Sequence, residues 1–188
     1  MNTKLRVLSW KEFYEKALAL ALTIRDKGYK PDIIVAVARG GWVLGRILSD
    51  ALSVRETASI TIQYYRGLND RDEVPRVSQT ATGTLCGKRV LLVDDVADTG
   101  ATLDLALREL RNANAGGVRT ATLFVKEWTR NLPDYYLEVV KEWVVFPYEY
   151  VEVLSELRRR GIGRSELESM GFEKVLLDLL LRVVERRE

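Results

Sequence analysis

Residues 90–103 read VLLVDDVADTGATL, and this stretch decides the rest. Arg89 to Val93 predicts a strand, and Val90 to Val93 within it is wholly apolar, the mark of burial on both faces. It delivers two adjacent carboxylates, Asp94 and Asp95, to the end of that strand, and Asp98 follows three residues later. Thr99, Gly100, Ala101 and Thr102 then open a helix carrying Leu103, Ala106, Leu107 and Leu110 on one face. Backbone N–H groups at a helix start, two hydroxyls and a glycine that lets a ligand approach make a phosphate cradle. Carboxylates beside such a cradle accept hydrogen bonds from sugar hydroxyls. The stretch therefore reads as a site for a ribose 5-phosphate. Asp-Asp alone is equally the chemistry of a direct Mg²⁺ ligand or a helix cap; the full string with Asp98-Thr99-Gly100 and Thr102 is what narrows it.

Outward from this stretch, strand and helix patterns alternate. Ser9 to Lys27 carries Phe13, Ala17, Leu20 and Ile24 at helical spacing, behind a Ser9–Glu12 capping pattern. Asp32 to Ala38 predicts a buried strand and Trp42 to Leu52 a helix, with Arg39-Gly40-Gly41 between them. Thr57 to Tyr65 predicts a second strand. Arg66 to Lys88 has no period and reads as one long loop, a kind that is usually functional or disordered. Val118 to Lys126 predicts a single strand, and Tyr135–Val140 and Trp143–Phe146 two short ones. Glu152–Arg160 and Ser165–Glu188 predict amphipathic helices, the second opened by a Ser165–Glu168 capping box. Such alternation predicts an α/β fold: a parallel twisted sheet flanked by helices, with right-handed crossovers. Ligands of these sheets sit beyond the carboxyl ends of the strands. The loops after Ala38, Val93 and Val125 are thereby expected to converge.

Composition removes whole classes of chemistry. The 188 residues hold no histidine and one cysteine, Cys86. Ser-His-Asp and Cys-His catalysis, histidine-held metals, internal disulfides and multi-cysteine zinc sites are excluded. Hydrophobic residues at 47% and charged residues at 30% describe a globular chain. With 29 Lys and Arg against 27 Asp and Glu, the net charge is +2, not that of a nucleic-acid-coating protein. No signal-peptide core and no membrane-length apolar run is evident, so the expected location is a reduced cytoplasm.

The 90–103 string resembles the phosphoribosyl diphosphate-binding motif of type I phosphoribosyltransferases, most of all the 6-oxopurine enzymes, and the likeness covers about residues 30–150. It implies the fold of that family, with a small hood and a C-terminal helical extension: a phosphoribosyltransferase domain over 1–150, whose 127–150 portion carries the base-binding segment, and an extension over 151–188. It implies that Arg39, Gly40 and Gly41 form the pyrophosphate-binding loop, often built on a non-proline cis peptide. Asp94 and Asp95 would hold the ribose hydroxyls and take part in Mg²⁺ binding, directly or through water or those hydroxyls. Asp98, Thr99, Gly100, Ala101 and Thr102 would bind the 5′-phosphate, and Asp98 would also be the general acid/base. Lys126 would donate to the exocyclic oxygen of the base; lysine only donates, which matches a 6-oxo group and mismatches the 6-amino group of adenine. Trp143 would stack on the purine, with stacking worth about 1–3 kcal/mol. Val144 would offer its backbone to the base edge, and Glu149 stands where relatives carry Asp. The 65–80 stretch matches a mobile lid in position only, with Tyr65, Arg66, Arg71 and Ser78 as candidate contacts. Cys86 is expected to be structural or superficial.

The reaction so implied joins a hypoxanthine, guanine or xanthine base to C1 of phosphoribosyl diphosphate and expels pyrophosphate, with Mg²⁺ as cofactor. The expected partners are those two substrates, with no membrane, no nucleic acid, and a homo-oligomer of two or four chains. Two other readings compete. One is a phosphoribosyltransferase for another base, although relatives acting on adenine, orotate or uracil usually lack Asp at position 98. The other is a non-catalytic phosphoribosyl diphosphate-sensing regulator that binds nucleic acid, suggested by Arg158-Arg159-Arg160. Arginines interleaved with Glu in that tail favour a solvated or oligomer-contacting helix pair. A phosphate-accepting receiver domain would need its acidic residues near the chain start, not mid-chain.

Overall fold

The computed structural model describes residues 4–66, 73–81 and 85–186. In chain order it contains β1 (Leu5–Val7), α1 (Trp10–Asp26), β2 (Ile33–Ala38), α2 (Gly41–Ala51), β3 (Glu56–Arg66), β4 (Glu73–Gln79), β5 (Arg89–Val93) and β6 (Val96–Ala97). There follow α3 (Ala101–Asn112), β7 (Gly117–Ala121), β8 (Phe124–Lys126), β9 (Glu138–Val140), β10 (Trp143–Val145), a 3-10 turn at Pro147–Glu149, α4 (Tyr150–Arg159), α5 (Arg164–Ser169) and α6 (Lys174–Glu185). The chain divides into two compact units, Lys16–Val140 and Met1–Glu15 with Lys141–Glu188.

The larger unit is built on a five-stranded sheet in the order β4-β3-β2-β5-β7. Four strands are parallel and β4 runs antiparallel beside β3. β2 is buried at every residue and β5 at its last four, which is why both read as unbroken apolar runs. Val35, Val37, Ile60, Val90 and Leu92 form the core on one sheet face with Leu103, Ala106 and Leu110 of α3. On α2, Gly45 brings the helix close to β2, since a Cβ there would lie 3.1 Å from that of Ala36. A second, three-stranded parallel sheet takes the order β6-β8-β9.

Two expectations are corrected here. The 66–88 stretch is not one structureless loop, because Glu73–Gln79 pairs with β3. It escaped detection as an edge strand does: it is polar and contains Pro75, and prolines in sheets are confined to edges. Val118–Lys126 is not one strand either. The chain is buried from Thr120 to Lys126, yet it leaves the main sheet at Ala121 and enters the small one at Phe124. The switch falls at Thr122 and Leu123, both buried, and a lone threonine inside a β-prone run does not mark the end of a strand. Of the lid candidates, Arg71 lies outside the described residues, and Ser78 donates to the Thr61 carbonyl across the β3–β4 pair.

The smaller unit pairs β1 with β10 in parallel. Its core joins Val145 and Tyr150 to Leu154, Leu167, Phe172, Leu177 and Val184. The Tyr150 hydroxyl donates to the Leu8 carbonyl at 2.5 Å, and burial pushes its ionisation well above the ordinary phenol value. Ser9 caps α1 as expected, accepting from the Glu12 N–H at 3.1 Å. The Ser165–Glu188 helix is instead two helices. It breaks at Gly171, whose φ of +102° suits glycine. The cap also lies two residues earlier, where the Gly163 N–H donates to Glu166, while Glu168 pairs with Arg164 and Lys174. No helix among the described residues is long and apolar enough to cross a membrane.

Candidate active site

Because β2 and β5 are adjacent and parallel, the loops that follow them emerge side by side at the carboxyl end of the sheet. Two glycines set how closely those loops meet. A Cβ on Gly41 would lie 2.4 Å from the Val93 carbonyl oxygen, and one on Gly40 would lie 2.1 Å from Oδ2 of Asp95. No other residue type fits either place without movement. The Arg39-Gly40-Gly41 loop is thus moulded onto the Asp94-Asp95 pair, and a cis peptide joins Ala38 to Arg39.

Asp94 and Asp95 are only 9% and 7% exposed. Their orientation is set locally: Oδ1 of Asp94 accepts from the Asp95 N–H at 3.0 Å, and Oδ1 of Asp95 from the Val96 N–H at 2.7 Å. The Asp95 carbonyl accepts from the N–H groups of Leu123 and Phe124, tying the pair to the start of β8. Lys126, the last residue of β8, is 7% exposed. Among the described residues, these three are the buried charged side chains.

Asp98 and Thr99 are exposed beyond the buried pair. Gly100, at the N-cap of α3, has a φ of +89° and no side-chain cap hydrogen bond; Thr99 Oγ1 accepts from the Ala101 N–H at 3.3 Å. The α3 start therefore offers the backbone donors and dipole that favour an anion. Thr102 shares a 2.8 Å hydrogen bond with the Tyr64 hydroxyl of β3.

Sequence reasoning passed over the segment after Lys126. The Trp128 indole N–H donates to Oδ1 of Asp98 at 2.6 Å. Thr129 Oγ1 lies 2.9 Å from the Ala97 carbonyl and 2.6 Å from that of Asp98. The Arg130 N–H reaches the Thr99 carbonyl, and Asn131 donates to Asp104 on α3. Gly100 passes against this segment, where a Cβ would meet the Asn131 carbonyl at 3.3 Å. The available signal was an aromatic residue two positions past the lysine, in an otherwise polar turn.

The larger unit thus gathers Arg39–Gly41, Asp94, Asp95, Asp98–Thr102 and Lys126 around neighbouring strand ends. Trp143, Val144 and Glu149 belong to the smaller unit. There Trp143 is 56% exposed on β10, Val144 is buried, and Glu149 Oε2 accepts from the Phe146 N–H at 3.4 Å.

Residues 5–152 match the phosphoribosyl transferase domain. The chain is similar to xanthine-guanine phosphoribosyltransferase from Nitratidesulfovibrio vulgaris, at 30% identity over 145 residues, 76% of this chain and 83% of the relative. Its fold is similar to that of a purine phosphoribosyltransferase from Pyrococcus horikoshii, with a TM-score of 0.70, 36% identity, and coverage of 77% of this chain and 93% of that one. It is also similar to a Helicobacter pylori xanthine-guanine-hypoxanthine phosphoribosyltransferase, with a TM-score of 0.68, 25% identity, and coverage of 82% and 99%. A strand-end acid pair locked against a glycine loop, a glycine-opened helix and a domain match over most of its length give one conclusion: the chain belongs to the phosphoribosyltransferase family and is an enzyme of that kind.

Proposed function

We propose that the enzyme transfers phosphoribosyl from phosphoribosyl diphosphate to a 6-oxopurine base in a purine-salvage reaction, yielding the nucleoside 5′-monophosphate and pyrophosphate. The observation that supports this reading best is the packing of Gly40 onto the Asp95 carboxylate, which sets the Arg39-Gly40-Gly41 loop against the acid pair. The relatives' names, for xanthine, guanine and hypoxanthine, support the choice of base.

In this reading the amides at residues 99–102 hold the 5′-phosphate at the positive end of α3, where an anion is favoured. Asp94 and Asp95 accept from the ribose hydroxyls and stabilise positive charge as the bond from C1 to the diphosphate breaks. Arg39, Gly40 and Gly41 hold the departing pyrophosphate. Asp98 takes the imidazole proton as the new bond from C1 to the purine nitrogen forms. Lys126 donates to the 6-oxo group, Trp143 stacks on the ring, Val144 meets the base edge, and Glu149 lies near the base. No enzyme nucleophile is required, in keeping with the lack of histidine.

The acid pair fits Mg²⁺, a hard ion that takes one or two carboxylates and completes its shell with water and substrate phosphates. The described residues hold no cluster of three or more metal-ligating side chains, so the site suits an ion shared with substrate over a protein cage. When bound, Mg²⁺ supplies charge neutralisation of the diphosphate leaving group.

We assign the catalytic domain to 1–150 and the helical extension to 151–188, and place the enzyme in the cytoplasm as a homo-oligomer. Arg159 and Arg160 pair with Glu156, and Arg164 with Glu168 and Asp178, which favours a packing role for the extension over a grip on nucleic acid.

The direct test is to incubate the protein with phosphoribosyl diphosphate, Mg²⁺ and hypoxanthine, guanine, xanthine or adenine in turn. Nucleotide is expected with one or more of the 6-oxopurines. Product with adenine alone, or with no base, contradicts the reading.

A further inference from the structure

We propose that Trp128 is a positioning residue for proton transfer, acting by holding the Asp98 carboxylate through its indole N–H. The inference rests on the reading of Asp98 as general acid/base. Three features carry it.

The first is the 2.6 Å hydrogen bond from Trp128 Nε1 to Oδ1 of Asp98. Asp98 is exposed, so packing alone does not fix its rotamer. One oxygen held by a neighbour leaves Oδ2 to meet the imidazole N–H of the base. Indole nitrogen is a donor with no lone pair to offer, so Trp128 orients the carboxylate and takes no proton itself.

The second is that the backbone carrying the indole is registered on the Asp98 loop. Thr129 Oγ1 contacts the Ala97 and Asp98 carbonyls, and the Arg130 N–H contacts the Thr99 carbonyl. A donor fixed in this way orders the acid at little entropic cost during reaction, the condition under which orientation contributes to rate.

The third is Lys126, whose ammonium lies 5.7 Å from the centroid of the Trp128 ring, within cation–π range. One side chain therefore touches both the residue assigned to the base's imidazole edge and the residue assigned to its 6-oxo group. Trp128 is itself 54% exposed, so it adds little to the core, and its placement has no packing explanation.

The test compares Trp128→Phe, Asp98→Asn and the double variant with the wild type in guanine turnover. Phe keeps an aromatic face for Lys126 and removes the N–H. Trp128→Phe is expected to lower kcat about tenfold, with KM for phosphoribosyl diphosphate held within about twofold, as loss of orientation would do. In the Asp98→Asn background the same change is expected to cost nothing further, since the carboxylate it orients is gone. If Asp98→Asn lowers kcat and Trp128→Phe leaves it unchanged, or lowers it as much in the Asp98→Asn background, the positioning role is overturned while the reading of Asp98 stands. If Asp98→Asn itself leaves kcat unchanged, the reading of Asp98 fails, and the positioning role with it.

Discussion

The two ends of the parallel sheet treat charge in opposite ways. At the amino end the charges are exposed and matched. Arg89 grips Asp32 through Nε at 3.1 Å, a terminal nitrogen at 2.7 Å and its backbone N–H at 2.8 Å, and Lys88 pairs with Glu56. The Arg89 bonds hold the Asp32 carboxyl at about 2, below its ordinary 3.8. At the carboxyl end Asp94 and Asp95 are buried, and so is Lys126 at the end of β8 in the small sheet. Burying charge costs free energy that a surface pair does not incur, even where partners are supplied. The amino end thus matches its charges in solvent and the carboxyl end buries them, and buried charge is kept more readily for chemistry than for stability. Substitutions at the two ends should therefore move stability and activity separately.

The largest effect is expected from Gly41→Ala. The added Cβ meets the Val93 carbonyl, a backbone atom that cannot turn aside, so the loop must shift off β5. Turnover should fall by about a hundredfold or more, the scale of an ångström misplacement at a reacting centre. A steady-state assay with matched circular dichroism spectra checks this; full activity would mean that the contact between the loops is dispensable.

Asp95→Asn comes next and divides the two ends most cleanly. The amide keeps an oxygen for the Val96 N–H and removes the buried charge. Turnover should fall about tenfold to a hundredfold while Tm holds or rises, as at sites where function is kept at the expense of stability. A drop in Tm with activity retained would place Asp95 with the structural charges.

Much of this was legible beforehand, for identifiable reasons. β5 matched its expected bounds because its last four residues, covered on both faces, must all be apolar. Ser9 announced α1 because a cap is a local bond. The site's ingredients were equally local, in one strand-to-helix string and one glycine loop. Unseen were contacts set by tertiary approach: Gly40 against Asp95, the Tyr64–Thr102 bond, and Trp128 against Asp98. Nothing within a dozen residues of any of these encodes its partner. Edge strand β4 was hidden because solvent on its outer side relaxes the need for apolar residues.

Lys126→Gln should act on selectivity more than on rate. A side-chain amide can accept from a 6-amino group as well as donate, so discrimination against adenine should relax by about tenfold, the worth of one hydrogen bond to a charged group. Competition between guanine and adenine measures it. Unchanged preference with a general loss of activity would remove Lys126 from base recognition.

Asp32→Asn is expected to leave turnover unchanged and to lower Tm at neutral pH. A carboxyl held below its ordinary value contributes stability above that value and loses it as pH falls, here between about 4 and about 2. Wild-type and variant melting curves should therefore converge across that window. A gap that persists below it would show that the Asp32–Arg89 pair is not the source.

The most direct measurement is the structure of the protein crystallised with guanosine 5′-monophosphate and Mg²⁺. The phosphate should lie on the backbone amides of residues 99–102, with the ribose hydroxyls turned to Asp94 and Asp95. A nucleotide bound elsewhere, or held there with its sugar facing away from both acids, would contradict the assignment of the buried carboxylates to the pentose.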